Sequence, residues 1–350
     1  MAADGPAASA AVTYGPRAAS DTPRADGLLD VLCDPAVRDL AWLLLSANLL
    51  RPQPPAGMLA DPFDNASDTV ATIRWLRALD LAPQPLHRDL ADTRITRVGR
   101  YAERLLGWFL QHGPAMRLIA AGVQVRHAGV TLGECDFLLE TRQGARLHWE
   151  LAVKCYLHAG DSRGALADYV GPNLKDRLDL KLSHVLDHQL PLSSRDEFKA
   201  IGYEGPWTPR MLIKGWLFYR HGETPPDAPE LDASHNRGWW VTRADWAAFA
   251  AAHAAHWRSL PRLEWLAPRR YEAASALDAS GAGKAVAPAT VPAAAAFIGA
   301  SALAVQFADH HGPFMVAAFA QDDAGNWLER SRGFIVPDDW PEQARAYARQ

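Results

Sequence analysis

The sequence predicts an α/β protein in which helices flank a central mixed sheet, and three observations carry that prediction. Residues Gly133–Tyr156 alternate in character every two positions, as strands do. Before them, Val98, Ala102, Leu105, Leu106 and Phe109 recur at helical spacing, and after them so do Leu174, Leu178, Leu182, Val185, Leu186 and Gln189. Arg210–Arg220, RMLIKGWLFYR, then reads as a further, buried strand.

Taken in order, residues 1–25 have no basic segment followed by an apolar one, so they read as a flexible tail and not a signal peptide. Residues 26–268 hold a helical region through Gln111 and then the core. The helix over Val98–Phe109 is ended by Gly113-Pro114 and carries Glu103 beside its apolar stripe. Glu103 is open to two readings, a carboxylate turned toward the sheet or an ordinary surface charge paired with Arg100 or Arg104.

The hairpin carries the chemistry. Trp149, Leu151, Val153, Cys155 and Leu157 share one face of its second strand, and His148, Glu150, Ala152, Lys154 and Tyr156 share the other. On the first strand Cys135, Phe137 and Leu139 alternate with Glu134, Asp136 and Glu140, interrupted by Leu138. A three-residue loop at Arg142-Gln143-Gly144 sets Asp136 opposite Glu150, and a loop one residue later sets Asp136 opposite Ala152 and Glu134 opposite Lys154. Either register gathers Asp136, Glu150 and Lys154 in one patch.

Two carboxylates can hold Mg²⁺ or Mn²⁺ through hard oxygen ligands, leaving positions for water and a phosphate oxygen. A lysine beside them can stabilise developing negative charge and orient the attacking water. The plain alternative is a set of cross-strand charge pairs on a solvated sheet.

The segments GECDF and HWELAVK resemble the core hairpin of the PD-(D/E)XK nuclease superfamily. The resemblance implies a restriction-endonuclease-like core, with Asp136 as the metal-binding aspartate of the second core strand and Lys154 as the lysine of the third. The acid expected two residues before that lysine is Ala152, while Glu150 lies four before it on the same face. Glu103 occupies the position of a glutamate that completes the metal site from the preceding helix, and Glu134 is a supporting acid or the partner of Lys154. The segments VRDLAWLLLSANLL, RVGRYAERLLGWFL, GPNLKDRLDLKL and SRGFIVPDDWP, with the hairpin, also resemble the bacterial family DUF1853. The resemblance implies a metal-dependent phosphodiester hydrolase acting on DNA or RNA. The alternative it leaves open is an inactive nuclease fold kept for nucleic-acid or protein binding.

The helix expected over residues 173–192 ends at Pro191 and carries Lys175, Arg177 and Lys181 interleaved with aspartates, a mixed-charge face or a phosphate grip. Lys214 in the following strand is expected to snorkel to an edge. His184 and His188 stand at i,i+4 without the glutamate of a zinc protease, and Asp309-His310-His311 lacks a supporting acidic set. A break near residue 268 leads to an alanine-rich linker over residues 269–300 and a small β-rich C-terminal segment over 301–350. Its strands are expected at Ala304–Phe307, Phe314–Ala320, Trp327–Arg330 and Gly333–Val336. Arg237–Trp246 and Arg332–Trp340 echo each other as strand, turn and capped helix start, with phosphate contact by the two Arg-Gly turns as the functional reading.

Composition bounds the rest. The 350 residues, 49% hydrophobic, suffice for a sizeable core. Cys33, Cys135 and Cys155 lack zinc spacing and are expected to be reduced thiols, and no stretch is long and apolar enough for a membrane span, so a cytoplasmic protein is expected. A net charge of −4 excludes a protein that coats nucleic acid through broad electrostatics, but not one with a local basic track.

Overall fold

The computed structural model describes residues 25–92, 94–160, 164–203, 205–273 and 297–350. Residues 1–24 of the expected tail and 274–296 of the expected linker lie outside the described residues.

Five helices come first: α1 (Ala25–Leu29), α2 (Pro35–Leu45), α3 (Ala66–Leu81), α4 (Gln84–Ala91) and α5 (Val98–His112). Asp34 starts α2 by accepting the N–H groups of Ala36 and Val37, beside Pro35 in the first turn, where a missing donor is harmless. α5 buries Ala102, Leu105, Leu106 and Phe109, the stripe read from sequence. It stops at Gly113, where a side chain would strike the Phe109 ring.

Strands β1 (Arg117–His127), β2 (Val130–Glu140) and β3 (Arg146–His158) follow as an antiparallel meander. Thr141 N–H donates to Ala145 O at 2.9 Å, so the β2–β3 loop is Arg142-Gln143-Gly144, with Gly144 left-handed at φ 82°. This is the first of the two expected registers, with Phe137 opposite Trp149 and Glu140 opposite Arg146.

The chain continues through β4 (Tyr169–Val170), α6 (Leu178–His184), α7 (Asp196–Lys199), β5 (Thr208–Arg220), β6 (Asn236–Thr242), α8 (Trp246–His253) and β7 (His256–Ser259). It closes with β8 (Arg270–Tyr271), α9 (Ala300–Ala308), β9 (Phe314–Gln321), β10 (Trp327–Val336) and α10 (Trp340–Ala348). The main sheet runs β1-β2-β3-β5-β6-β10-β9-β7, with β4 on β3 and β8 on β10. Its centre, β3-β5-β6-β10, is parallel, and both flanks are antiparallel, so the sheet is mixed as expected.

Helices cover both faces. On one, α2 and α5 pack Trp42, Leu105 and Phe109 against Trp149, Leu151, Leu212, Trp216 and Phe334. On the other, Leu178, Leu182, Val185 and Leu190 cover Ala152, Tyr156, Met211 and Ile213. β3 is therefore enclosed from both sides, and its polar face is not a solvated one.

Four details differ from the sequence reading. Ala304–Phe307 is helical, within α9, where Leu303 and Phe307 pack against Trp246 and Trp257. The helix expected over 173–192 begins only at Leu178, opens into a π turn over Val185–Gln189 and tightens into a 3₁₀ turn over Leu190–Ser194. Pro191 explains the opening, because it offers no N–H and its ring clashes with a carbonyl one turn back. Lys214 does not reach an edge: it is 3% exposed and donates to Ser46 O at the C-terminal end of α2, a place that favours a cation. Cys135 leaves the face of Phe137 and packs with Leu138, Val123 and Val125 against Leu192 and Phe198.

The echoed segments form one unit. β6 and β10 lie side by side in parallel, Gly333 opposite Trp239, and Asp338 Oδ1 accepts the Ala244 N–H at 2.8 Å. Arg332, fully buried, donates to Glu329 and to the carbonyls of Trp265 and Ala267. Its turn is a structural clamp and is closed to phosphate.

Candidate active site at the β2–β3 fork

The site lies where β2 and β3 part. Their backbone pairing ends at Phe137 and Trp149, and at the next position Asp136 and Glu150 face each other as expected. The two carboxylates replace the missing rungs. Asp136 Oδ2 accepts the Leu151 N–H at 2.9 Å, and Glu150 Oε1 accepts the Asp136 N–H at 3.3 Å. Opposite this point β1 carries Gly122 with φ 63°, a left-handed residue that lets the edge strand bend around the fork.

Glu150 is 1% exposed and both of its oxygens are occupied. Its Oε1 lies 2.7 Å from His148 Nε2, and its Oε2 accepts from the Gln189 side-chain amide. His148 is fully buried, with Nδ1 3.0 Å from Ser193 Oγ; burial lowers its pKa to about 4, so the ring is neutral. The Gln189 oxygen accepts from Lys181 Nζ at 2.8 Å. Lys181, Gln189, Glu150, His148 and Ser193 thus form one chain of hydrogen bonds beneath Asp136, and the π turn is what presents Gln189 to Glu150.

Both acids are poorly solvated. Burial, and then the neighbouring Glu150, raises the Asp136 carboxyl to about 8. Burial raises Glu150 to about 7 against its hydrogen bonds. Lys181 is the cation that acts on both acids, and burial lowers its own pKa. Lys154 is held elsewhere, its ammonium donating to Asp176.

Asp136 opens on its other side into a cleft of about 540 Å³ between α5, β1 and β2. Glu103 and Glu134 line the same cleft, together with Arg94, Arg97, Arg100 and Arg104 and the apolar surface of Leu118, Trp108 and Phe137. Arg100 donates to Glu103 at 2.7 Å and lies 3.8 Å from Glu134, so Glu103 has the Arg100 pairing of the plainer reading while it also lines the cleft. Burial raises the Glu103 carboxyl, and Glu134 adds to that.

Of the residues read from sequence, the fold joins Asp136 to Glu150 and brings Glu103 and Glu134 to the same cleft; it does not bring Lys154 into that group. Ala152 lies 6% exposed in the apolar layer under Leu182, one pleat from Glu150. His148 and Gln189 escaped sequence reasoning as site residues, and Lys181 was read only as a mixed-charge or phosphate-gripping residue, not as a partner of the acids. His148 was visible on the Glu150 face, and Lys181 and Gln189 share the helical stretch after the hairpin, but only the π turn aims Gln189 at the sheet.

The donors test which metal suits them. Asp136, Glu103 and Glu134 line one cleft with carboxylates, the hard-oxygen ligand type that Mg²⁺ and Mn²⁺ take, but their oxygens do not gather within 4.8 Å of one another. Among the described residues the group that does so is Cys135, His148 and Glu150, all buried. That trio already spends its nitrogen and oxygens on hydrogen bonds, and burial raises the Cys135 thiol far from its thiolate.

These features define an α/β protein with a carboxylate cluster at the fork of a mixed sheet. Residues 38–336 match the model of the family described as Domain of unknown function (DUF1853), and the chain belongs to that family. No curated protein and no solved structure matches it. Among the described residues no helix is long and apolar enough to cross a membrane. His184 and His188 stack at 5.3 Å, and among the described residues no third ligand joins them.

Proposed function

We propose that this protein is a metal-dependent phosphodiester hydrolase acting on DNA or RNA, built on a restriction-endonuclease-like core. The observation that carries the reading is the Asp136–Glu150 pair at the β2–β3 fork, opening into a cleft with Glu103 and Glu134 inside and arginines along its lining. The order of elements supports it: α5, three antiparallel strands, α6 and the parallel strand β5, with the acids on the second and third strands.

Asp136 and Glu103 would hold Mg²⁺ or Mn²⁺, with Glu134 beside them, and the ion when bound supplies Lewis-acid polarisation and an acidic water. Glu150 fixes Asp136 by accepting its backbone N–H and keeps His148 and Gln189 in place. Lys181, relayed through Gln189, sets the positive potential on both acids, the role that the hairpin motif alone would give to Lys154. Arginines are suited to grip phosphate oxygens bidentately.

One observation favours the second reading, a nuclease fold kept only for binding. Asp136 and Glu150 both bond across the fork, so each has a structural task that would retain it without catalysis.

Incubation of the full chain with single-stranded, duplex and branched DNA and RNA in Mg²⁺ or Mn²⁺ separates the two. The hydrolase reading expects metal-dependent cleavage that Asp136→Asn removes. Cleavage unchanged in Asp136→Asn, or none on any substrate, rejects it.

A further inference from the structure

We propose that the cleft beside Asp136 is a track for single-stranded nucleic acid, gripped at its rim by Arg94, Arg97 and Arg100. The inference rests on the hydrolase reading for the site but concerns what enters it.

Charge is sorted by depth in this cleft. Arg94, Arg97 and Arg100 are exposed, while Glu103, Glu134 and Asp136 are half-buried behind them. Arg104 is spoken for, its guanidinium held by Asp89 at 2.7 and 2.8 Å. Arg94 and Arg97 form no ion pair among the described residues. Arg100 bridges to Glu103 and Glu134 and can release them when a cation takes over their charge. The three rim arginines run from the loop before α5 into its first turn, and all three line the opening.

Size selects among polyphosphates. A cleft of about 540 Å³ is of the order that encloses one drug-sized molecule, roughly 300–1,000 Å³, the scale of a nucleotide and not of a double helix. Its inner surface gives a sugar or an unstacked base an apolar contact at Leu118 and the exposed edges of the buried Trp108 and Phe137, which only an unpaired strand can reach. The buried acids add a barrier to duplex, which carries twice the linear charge of one strand. A net charge of −4 gives the chain no general electrostatic pull on duplex.

The test is binding in EDTA, where no metal-dependent cleavage occurs. Fluorescence anisotropy is measured on the full chain with oligothymidylate, oligouridylate and a mixed-sequence duplex, for wild type and for the double variant Arg94→Ala, Arg97→Ala. Both residues are exposed, and an unchanged thermal transition checks folding. The expected result is single-strand binding about tenfold tighter than duplex, weakened about tenfold in the variant. The salt slope of single-strand binding should fall by about 1.4, since each lost phosphate contact removes about 0.7. Equal or tighter duplex binding, an unchanged slope in the variant, or no binding to either strand overturns the proposal. Cleavage is read separately in Mg²⁺, so single-strand binding without cleavage strikes the hydrolase reading and spares this one.

Discussion

Replacing Glu150 by Gln should change the way stability depends on pH more than it changes stability itself. Glu150 is 1% exposed, and burial lifts its pKa from 4.5 to about 7. Because the folded value lies above the unfolded one, the native protein retains a proton across that interval that the unfolded chain gives up. The stability contributed by this group is complete below pH 4.5 and is lost as pH rises through about 7. Holding the carboxylate ionised above that point costs about 3 kcal/mol, at roughly 1.4 kcal/mol for each pH unit of displacement. Glutamine keeps the shape and never ionises. It also disturbs Gln189, whose amide donates to Glu150 and whose oxygen accepts from Lys181, but that disturbance is the same at every pH. Urea unfolding of both proteins between pH 5 and 9 should therefore show the variant gaining on wild type by about 3 kcal/mol as pH rises. Asp136, raised to about 8 in part by Glu150, leaves the variant a residual slope of the same sign. Parallel curves for the two proteins would refute the claim that a desolvated carboxylate sits at the fork.

Three further outcomes follow from the same geometry. Ala152→Glu, which restores the spacing of the hairpin motif, should destabilise the fold by about 2–4 kcal/mol in urea unfolding, because residue 152 lies in the apolar layer with Leu182 and Met211. Lys181→Ala should slow cleavage by on the order of a hundredfold with little change in KM, whereas Lys154→Ala should leave cleavage within a few-fold, since Lys154 pairs with Asp176 and Lys181 acts on the acids. Arg332→Ala should cost about 3–5 kcal/mol, measured by urea unfolding, because it removes the cation that balances the buried Glu329 carboxylate and the donors to the Trp265 and Ala267 carbonyls.

The hairpin was legible because strand alternation and a glycine-closed loop are local. Period two put Glu150 and Lys154 on one face, and Gly144 fixed the loop that set Asp136 opposite Glu150. The stripe of α5 was legible for the same reason, and with it the approach of Glu103. What escaped was set at longer range. Ala304–Phe307 has strand-like content but forms part of α9, which covers Trp246, a contact from a distant part of the chain. Lys214 was read as an edge residue because nothing nearby in sequence announces the carbonyl of Ser46 as its partner. Lys154 and Lys181 are chemically alike, and only the path of the chain through Asp176 and the π turn decides which of them acts on the acids. The face of Glu150 and Lys154, for which a solvated set of charge pairs was the plain alternative, is roofed by a helix that was visible in sequence, although its position over that face was not.

The most direct test of the central claim is calorimetric titration of Mg²⁺ and Mn²⁺ into wild type and Asp136→Ala. Binding to wild type that disappears in Asp136→Ala is the predicted result, because Asp136 is the acid of the fork that lines the cleft with Glu103 and Glu134. Equal binding in the two proteins, or none in wild type, would contradict it.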